Sequence, residues 1–139
     1  MLIADDHSVV RMGLRFIIGH HFGKVEIFES EDCTQTVQQL QKGIFTHLVL
    51  DLQLKDGNGL DIFTDIRETY PGLHILIHSS SSEEVYGRML MQRGAKGYLH
   101  KQAPDSELVK AFQLFFMGRR YISPAMEDIL AETKNREPG

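Results

Sequence analysis

Four short apolar runs constrain this chain more than any other feature of it. Met1-Leu2-Ile3-Ala4 runs into Asp5-Asp6, and His47-Leu48-Val49-Leu50 runs into Asp51. His74-Ile75-Leu76-Ile77-His78 runs into Ser79, and Gly97-Tyr98-Leu99-His100 runs into Lys101. Apolar runs of this length, followed by helical patterns, read as parallel strands of an α/β sheet. Such a sheet gathers the carboxyl ends of its strands on one edge, where ligands bind. Three carboxylates, a hydroxyl and an ammonium group are therefore expected to converge in one crevice.

The segments between the runs fit that expectation. Residues from His7-Ser8 to about His20 read as a helix with Ser8 as N-cap and an apolar face of Val9, Met12, Leu14, Phe16 and Ile17. Residues 24–28 alternate polar and apolar, as a strand does. A second helix runs from Cys33 to Gln41 and is closed by Gly43. Residues 55–59 form a Gly-rich turn, Leu60 to Tyr70 is helical, and Pro71-Gly72 stops that helix. A fourth helix spans about Ser82 to Arg93 with Gly94 as cap, and a fifth runs from Pro104 to about Met117, ended by Gly118. Five alternations of strand and helix give a doubly wound α/β sandwich on a parallel five-stranded sheet. Ser123-Pro124 is an N-cap followed by an N1 proline, which predicts a short helix over 125–131 before a polar, frayed end. We read 1–118 as the domain and 119–139 as a linker leaving it.

Composition excludes several classes. The 139 residues carry a formal net charge of −4 and no basic block, which argues against nucleic-acid binding by this chain itself. The single Cys33 cannot form an internal disulfide and fits a reducing cytosol. The apolar stretches are far too short to span a bilayer, and the amino terminus enters the first strand directly, without a signal peptide. A cytoplasmic protein with no membrane partner is expected.

The chemistry at the strand ends is specific in combination. Asp5 and Asp6 beside Asp51 place like charges together, a cluster that calls for a cation or a shared proton. Oxygen-only ligands with no His or Cys set point to a hard ion, Mg²⁺, with several waters retained. Such an ion would draw charge from the carboxylates and from an incoming phosphoryl group. Asp51 is then the nucleophile that forms an aspartyl phosphate. Lys101 can pair with Asp51 and later with a phosphate oxygen, and Ser79 can donate its hydroxyl to another. Taken singly, each residue has a plainer explanation: an Asp-Asp pair caps helices, an Asp before glycines forms turns, and a lysine at a strand end is solvated. Their joint occurrence at four strand ends, in this order, makes the plain account improbable.

At this point the sequence resembles the receiver domain of two-component response regulators. The matching residues are Ile3-Ala4-Asp5-Asp6-His7, Leu48-Val49-Leu50-Asp51-Leu52, Ile75-Leu76-Ile77-His78-Ser79, and Gly94-Ala95-Lys96-Gly97-Tyr98-Leu99-His100-Lys101. The resemblance covers residues 1 to about 118. It implies a flavodoxin-like (βα)5 fold with strand order 2-1-3-4-5 and Asp51 as phosphoacceptor. It implies a Mg²⁺ site of Asp5, Asp6 and Asp51 helped by the backbone carbonyl of Gln53. Ser79 is the implied switch hydroxyl, Lys101 the phosphate-contacting lysine, and Tyr98 the switch aromatic. The implied partners are a sensor histidine kinase and a second copy of the chain on phosphorylation. The domain would be a signalling phosphoacceptor and not an enzyme, assisting only its own phosphorylation and dephosphorylation.

Val10-Arg11-Met12-Gly13-Leu14-Arg15, Glu83-Glu84-Val85-Tyr86 and Gly118-Arg119-Arg120-Tyr121-Ile122-Ser123-Pro124 resemble LuxR-type regulators. In that group a linker of this kind leads to a helix-turn-helix domain, so DNA would be bound only through a region following residue 139. Two departures from common receiver sequences are Lys55 and Gln102, where prolines often stand; His78 and Ser80 flank the switch serine. Two competing readings remain. Aspartate-nucleophile phosphohydrolases share the strand-end chemistry, but they usually carry a second acid where this chain has Gln53, and a cap domain that 139 residues scarcely accommodate. A receiver that serves as a phosphorylation-independent interaction module is the other.

Overall fold

The structure is a computed structural model and describes residues 1–136. In chain order its elements are β1 (Leu2–Ala4), α1 (Ser8–Phe22), β2 (Phe28–Ser30), α2 (Cys33–Lys42), β3 (His47–Leu50), β4 (Gln53–Leu54), β5 (Gly57–Asn58), α3 (Gly59–Thr69), β6 (His74–Ser79), α4 (Glu83–Gln92), β7 (Gly97–His100), α5 (Asp105–Phe116) and α6 (Pro124–Arg136). Five parallel strands form one sheet in the order β2-β1-β3-β6-β7. The pair β4-β5 is a separate antiparallel hairpin. With the hairpin set aside, the core strands follow the order 2-1-3-4-5, as the flavodoxin-like reading requires.

Helices cover both faces of the sheet, and alternation along the strands divides the core in two. Leu2, Leu48, Leu50, Ile75 and Ile77 point to one side with Ile62, Phe63, Ile66, Leu90 and Tyr98. Ile3, Val49, Leu76 and Leu99 point to the other, against Leu14, Ile18, Phe112 and Phe115. Strands buried on both faces need apolar residues at every position, and this is why the runs are continuous.

Local departures from the sequence reading have physical causes. Pairing with the short β1 allows only three residues of β2, so β2 lies at 28–30 rather than 24–28: Leu2, Ile3 and Ala4 face Phe28, Glu29 and Ser30. The predicted turn at 55–59 is instead the connection and second strand of the β4-β5 hairpin, running into α3. His7, not Ser8, is the N-cap of α1, and its side chain makes no capping bond. On α1 the buried residues are Leu14 and Ile18, whereas Val9, Met12 and Phe16 face solvent. The expected apolar face thus combined two sides of one helix. Two phenylalanines of α5, Phe112 and Phe115, are fully buried, and Phe116 is partly so.

The last helix is longer than expected. It spans Pro124–Arg136 and packs on α4. Met126 is buried against Gly87, where an added Cβ would lie 2.5 Å from the Met126 methyl carbon. Ser123 donates its hydroxyl to Glu83, and Arg120 donates to the Met91 carbonyl at 3.0 Å. Of the polar end expected to fray, residues 137–139 lie outside the described residues.

Candidate functional site

The backbone ladders of the sheet each continue one residue past the strand and so fix the side chains at its carboxyl edge. The Asp5 N–H donates to the Ser30 carbonyl at 3.0 Å, and the Asp51 N–H to the Ala4 carbonyl at 3.0 Å. The Lys101 N–H donates to the Ser79 carbonyl at 2.9 Å. Asp5, Asp51 and Ser79 are buried, and Asp6 is partly so. All the strand-end residues singled out from the sequence stand at this edge, with Gln53 on the adjoining hairpin.

Lys101 links the acids. Its Nζ lies 2.9 Å from Asp51 Oδ2 and 3.0 Å from Asp5 Oδ2. Burial pushes the Asp51 carboxyl above its usual range, against the opposing pull of Lys101 and of the Gln53 N–H, which donates to Asp51 Oδ1 at 3.2 Å. Burial alone would lower the Lys101 ammonium, but its hydrogen bond to Asp51 and its ion pair with Asp5 outweigh that and raise it. The lysine is therefore firmly cationic, and Asp51 is a carboxylate that gains from an added positive charge.

Two oxygens at this edge are buried without a hydrogen bond: Asp5 Oδ2 and Asp6 Oδ1. The first sits near Lys101 but outside hydrogen-bond geometry. Asp5, Asp6, His7 and Asp51 each offer a donor atom within 4.8 Å of one another. Two metal–ligand bonds in line span about 4–5 Å, so one divalent cation fits this set. The sequence reading of an oxygen-only site overlooked His7, although it directly follows the acid pair. Its Nδ1 lies 2.9 Å from Asp6 Oδ1 and 3.4 Å from Asp5 Oδ1.

The hydroxyl and the aromatic meet in the loop after β6. Ser79 Oγ accepts the Ser81 N–H at 3.1 Å, and the Tyr98 phenol donates to the Ser81 carbonyl at 2.7 Å. Burial raises the Tyr98 phenol to about 12, while a hydrogen bond from the Ser79 side chain works against the rise. Tyr98 already faces inward in this structure. His78 is buried with an unpartnered Nδ1, and burial, reinforced by Lys101, pushes its imidazole down to about 4.

Two further residues hold the Asp51 loop; the sequence reading placed both in the turn at 55–59 but gave neither a part in the site. Gly59 donates its N–H to the Leu52 carbonyl at 2.8 Å, and a Cβ there would lie 2.5 Å from the Asp51 carbonyl oxygen. Asp56 accepts from the Thr34 hydroxyl at 2.7 Å and from the Cys33 and Thr34 N–H groups, bonds that hold its carboxyl near 2. Beside it, Lys55 pairs with Glu31 at 3.3 Å. The loop carrying Lys55 is thereby tied to α2 and its flank.

Comparison with known proteins agrees with this geometry. The sequence profile described as the response regulator receiver domain matches residues 1–113. The chain belongs to the response regulator receiver domain family. As such it is a receiver domain of two-component response regulators, a signalling family. It is 33% identical over 127 residues to the oxygen regulatory protein NreC of Staphylococcus carnosus, covering 91% of this chain and 58% of NreC. The chain thus spans little more than half the length of that curated relative. A crystal structure of a two-component response regulator of the LuxR family from Aurantimonas sp. superposes with a TM-score of 0.84 at 28% identity, covering 97% of this chain and 96% of that one. A structure of two RcsB dimers bound to two parallel DNAs superposes with a TM-score of 0.81 at 25% identity, over 94% of this chain and 66% of that one.

Proposed function

We propose that this receiver accepts a phosphoryl group on Asp51 from the phosphohistidine of a sensor histidine kinase. The observation that carries the proposal is the grouping of Asp51 with Asp5, Asp6 and Lys101 at one sheet edge. In the transfer an Asp51 carboxylate oxygen attacks phosphorus, the P–N bond breaks, and the imidazole of the kinase leaves with the electron pair. Asp5, Asp6, Asp51 and the Gln53 carbonyl would hold Mg²⁺, which supplies positive charge against the acids and the incoming phosphoryl oxygens. Lys101 moves from a carboxylate oxygen to a phosphoryl oxygen.

Ser79 carries the change outward. Its hydroxyl is hydrogen-bonded to Tyr98, and a new phosphoryl oxygen competes for that proton. Recruiting Ser79 alters the hold on Tyr98 and on the Ser81 loop that enters α4. The site thus biases a two-state element by a local electrostatic event. A swing from 1:99 to 99:1 requires roughly 5.5 kcal/mol of bias.

Residues 119–139 then act as the linker toward a DNA-binding helix-turn-helix domain in the longer protein, and the phosphorylated form pairs with a second copy. Two facts support this. The relatives are about twice as long as a receiver, and RcsB is seen as dimers on DNA. On this chain, Val9, Met12 and Phe16 leave an exposed apolar stripe along α1. The protein would work in the cytoplasm. No helix among the described residues is long and apolar enough to cross a membrane.

Incubation with acetyl phosphate and Mg²⁺, followed by intact mass, tests the site. The expected result is a gain of one phosphoryl mass that is absent from Asp51→Asn. Failure of both acetyl phosphate and kinases to label a folded protein would leave a phosphorylation-independent interaction module.

A further inference from the structure

The His7 side chain faces the acid pair and not the core. It is 65% exposed, it packs in neither core cluster, and as the N-cap of α1 it makes no side-chain capping bond. It nevertheless leans over the acidic pair, with Nδ1 2.9 Å from Asp6 Oδ1 and 3.4 Å from Asp5 Oδ1. The nearer contact is not a hydrogen bond, since Asp6 Oδ1 is buried and has no hydrogen-bond partner at all. An imidazole nitrogen and a carboxylate oxygen without a hydrogen bond thus stand side by side at the acid pair. Both belong to the group of four whose donor atoms lie within 4.8 Å of one another.

From this arrangement we propose that His7 Nδ1 is an additional ligand of the cation site, so that the site favours imidazole-binding divalent ions over Mg²⁺. The proposal rests on the cation site of the function given above and extends it from a hard-ion site to a mixed one. The chemistry follows from the ligand types. Mg²⁺ binds carboxylate, carbonyl and water oxygens and releases its waters reluctantly. Co²⁺, Ni²⁺ and Zn²⁺ gain from an imidazole, and bind N/O sites more tightly in the order of the divalent series. The tautomer with its proton on Nε2 leaves Nδ1 a free lone pair at the site and turns the N–H to solvent, which costs little at an exposed ring. His7 therefore discriminates among ions while the three carboxylates set the common affinity.

Co²⁺ and Mg²⁺ are the probes, applied to the wild type, His7→Ala and Asp6→Asn. Affinities come from calorimetric titration, and ligation from proton NMR of the Co²⁺-loaded protein, where a bound imidazole gives an exchangeable, strongly shifted N–H signal. Folding of each variant is checked by circular dichroism. The expected result is that His7→Ala weakens Co²⁺ about tenfold or more, leaves Mg²⁺ within about twofold, and removes the shifted signal. Equal weakening of both ions would overturn the proposal and make His7 a residue that positions Asp6. No change in either ion, with both still sensitive to Asp6→Asn, would overturn it while leaving the cation site standing. Binding insensitive to Asp6→Asn would overturn both the proposal and the cation site on which it rests.

Discussion

Lys101 Nζ stands 2.9 Å from Asp51 Oδ2, and the same nitrogen stands 3.0 Å from Asp5 Oδ2. One ammonium is therefore shared as counter-ion by two buried carboxylates from neighbouring strand ends, which leaves one negative charge unbalanced. Removing it leaves those charges without a fixed counter-ion. Breaking a buried pair in this way costs about 3–5 kcal/mol. Lys101→Met is expected to lower Tm at pH 7, and millimolar Mg²⁺ is expected to restore more of the loss than it adds to the wild type. Thermal melts with and without the ion check both parts.

Asp51→Asn works in the opposite direction on stability. Burial raises the folded-state pKa of Asp51 above its unfolded value. Such a group favours folding below its unfolded pKa, and that contribution is lost as pH rises through the folded pKa. At pH 7 the charged Asp51 is a net strain on the fold, although Lys101 relieves part of it. The neutral amide is expected to raise Tm at pH 7 and to change it little near pH 3. Melts of both proteins at the two pH values decide this, and a lower Tm for the variant at pH 7 would count against the burial argument.

Gly59 is needed for space and not for an unusual backbone angle. A Cβ at this position would meet the Asp51 carbonyl oxygen at 2.5 Å and the Leu52 Cα at 2.6 Å. Both are main-chain atoms of the loop that carries Asp51, so the loop itself must move. Gly59→Ala should therefore destabilise the protein by about 1–3 kcal/mol, despite the better helix propensity of Ala. Phosphoryl labelling should slow in the folded variant. Denaturant titration and the time course of mass gain measure the two effects.

The sheet and its reactive edge were legible because one physical rule links them. Parallel strands buried on both faces are short apolar runs, and whatever follows each run lands on the same edge. Asp5, Asp51, Ser79 and Lys101 could therefore be placed together from order alone. Features resting on contacts between distant segments were not legible. Nothing in the stretch around Asp56 announces that it caps α2 through Cys33 and Thr34, 22 to 23 residues away. The exposed side of α1 was misassigned because Val9, Met12 and Phe16 are as apolar as Leu14 and Ile18. Only packing tells one side of that helix from the other. His7 was legible but passed over, since the acid pair before it already gave a complete hard-ion site.

The α4–α6 contact depends on one side chain. Met126 is 1% exposed and sits over Gly87, the one position on α4 where a missing side chain admits it. Cutting a buried Met back to Ala costs about 2–5 kcal/mol. Here the loss falls on the docking of α6 and not on the sheet. Met126→Ala should speed amide exchange across 124–136 while leaving β1, β3 and β6 protected. Hydrogen exchange read by mass spectrometry resolves these segments. Uniform loss of protection through the sheet would mean that α6 is integral to the domain.

Acid sensitivity should be traceable to His78. Its ring is 4% exposed, Nδ1 has no partner, and burial with Lys101 nearby depresses its pKa to about 4, below the unfolded value near 6.5. The folded state therefore holds the ring neutral. Between pH 6.5 and about 4 the unfolded chain binds a proton that the native one refuses. Stability contributed by the neutral ring is complete above 6.5 and is lost as pH falls through that window, at about 1.4 kcal/mol per pH unit. The full loss is roughly 3 kcal/mol. His78→Leu removes the titrating group while keeping an apolar, similarly sized side chain in β6. Its stability should fall less steeply between pH 6.5 and 4 than that of the wild type, as measured by urea unfolding across that range. Parallel slopes for the two proteins would assign the acid response to other groups.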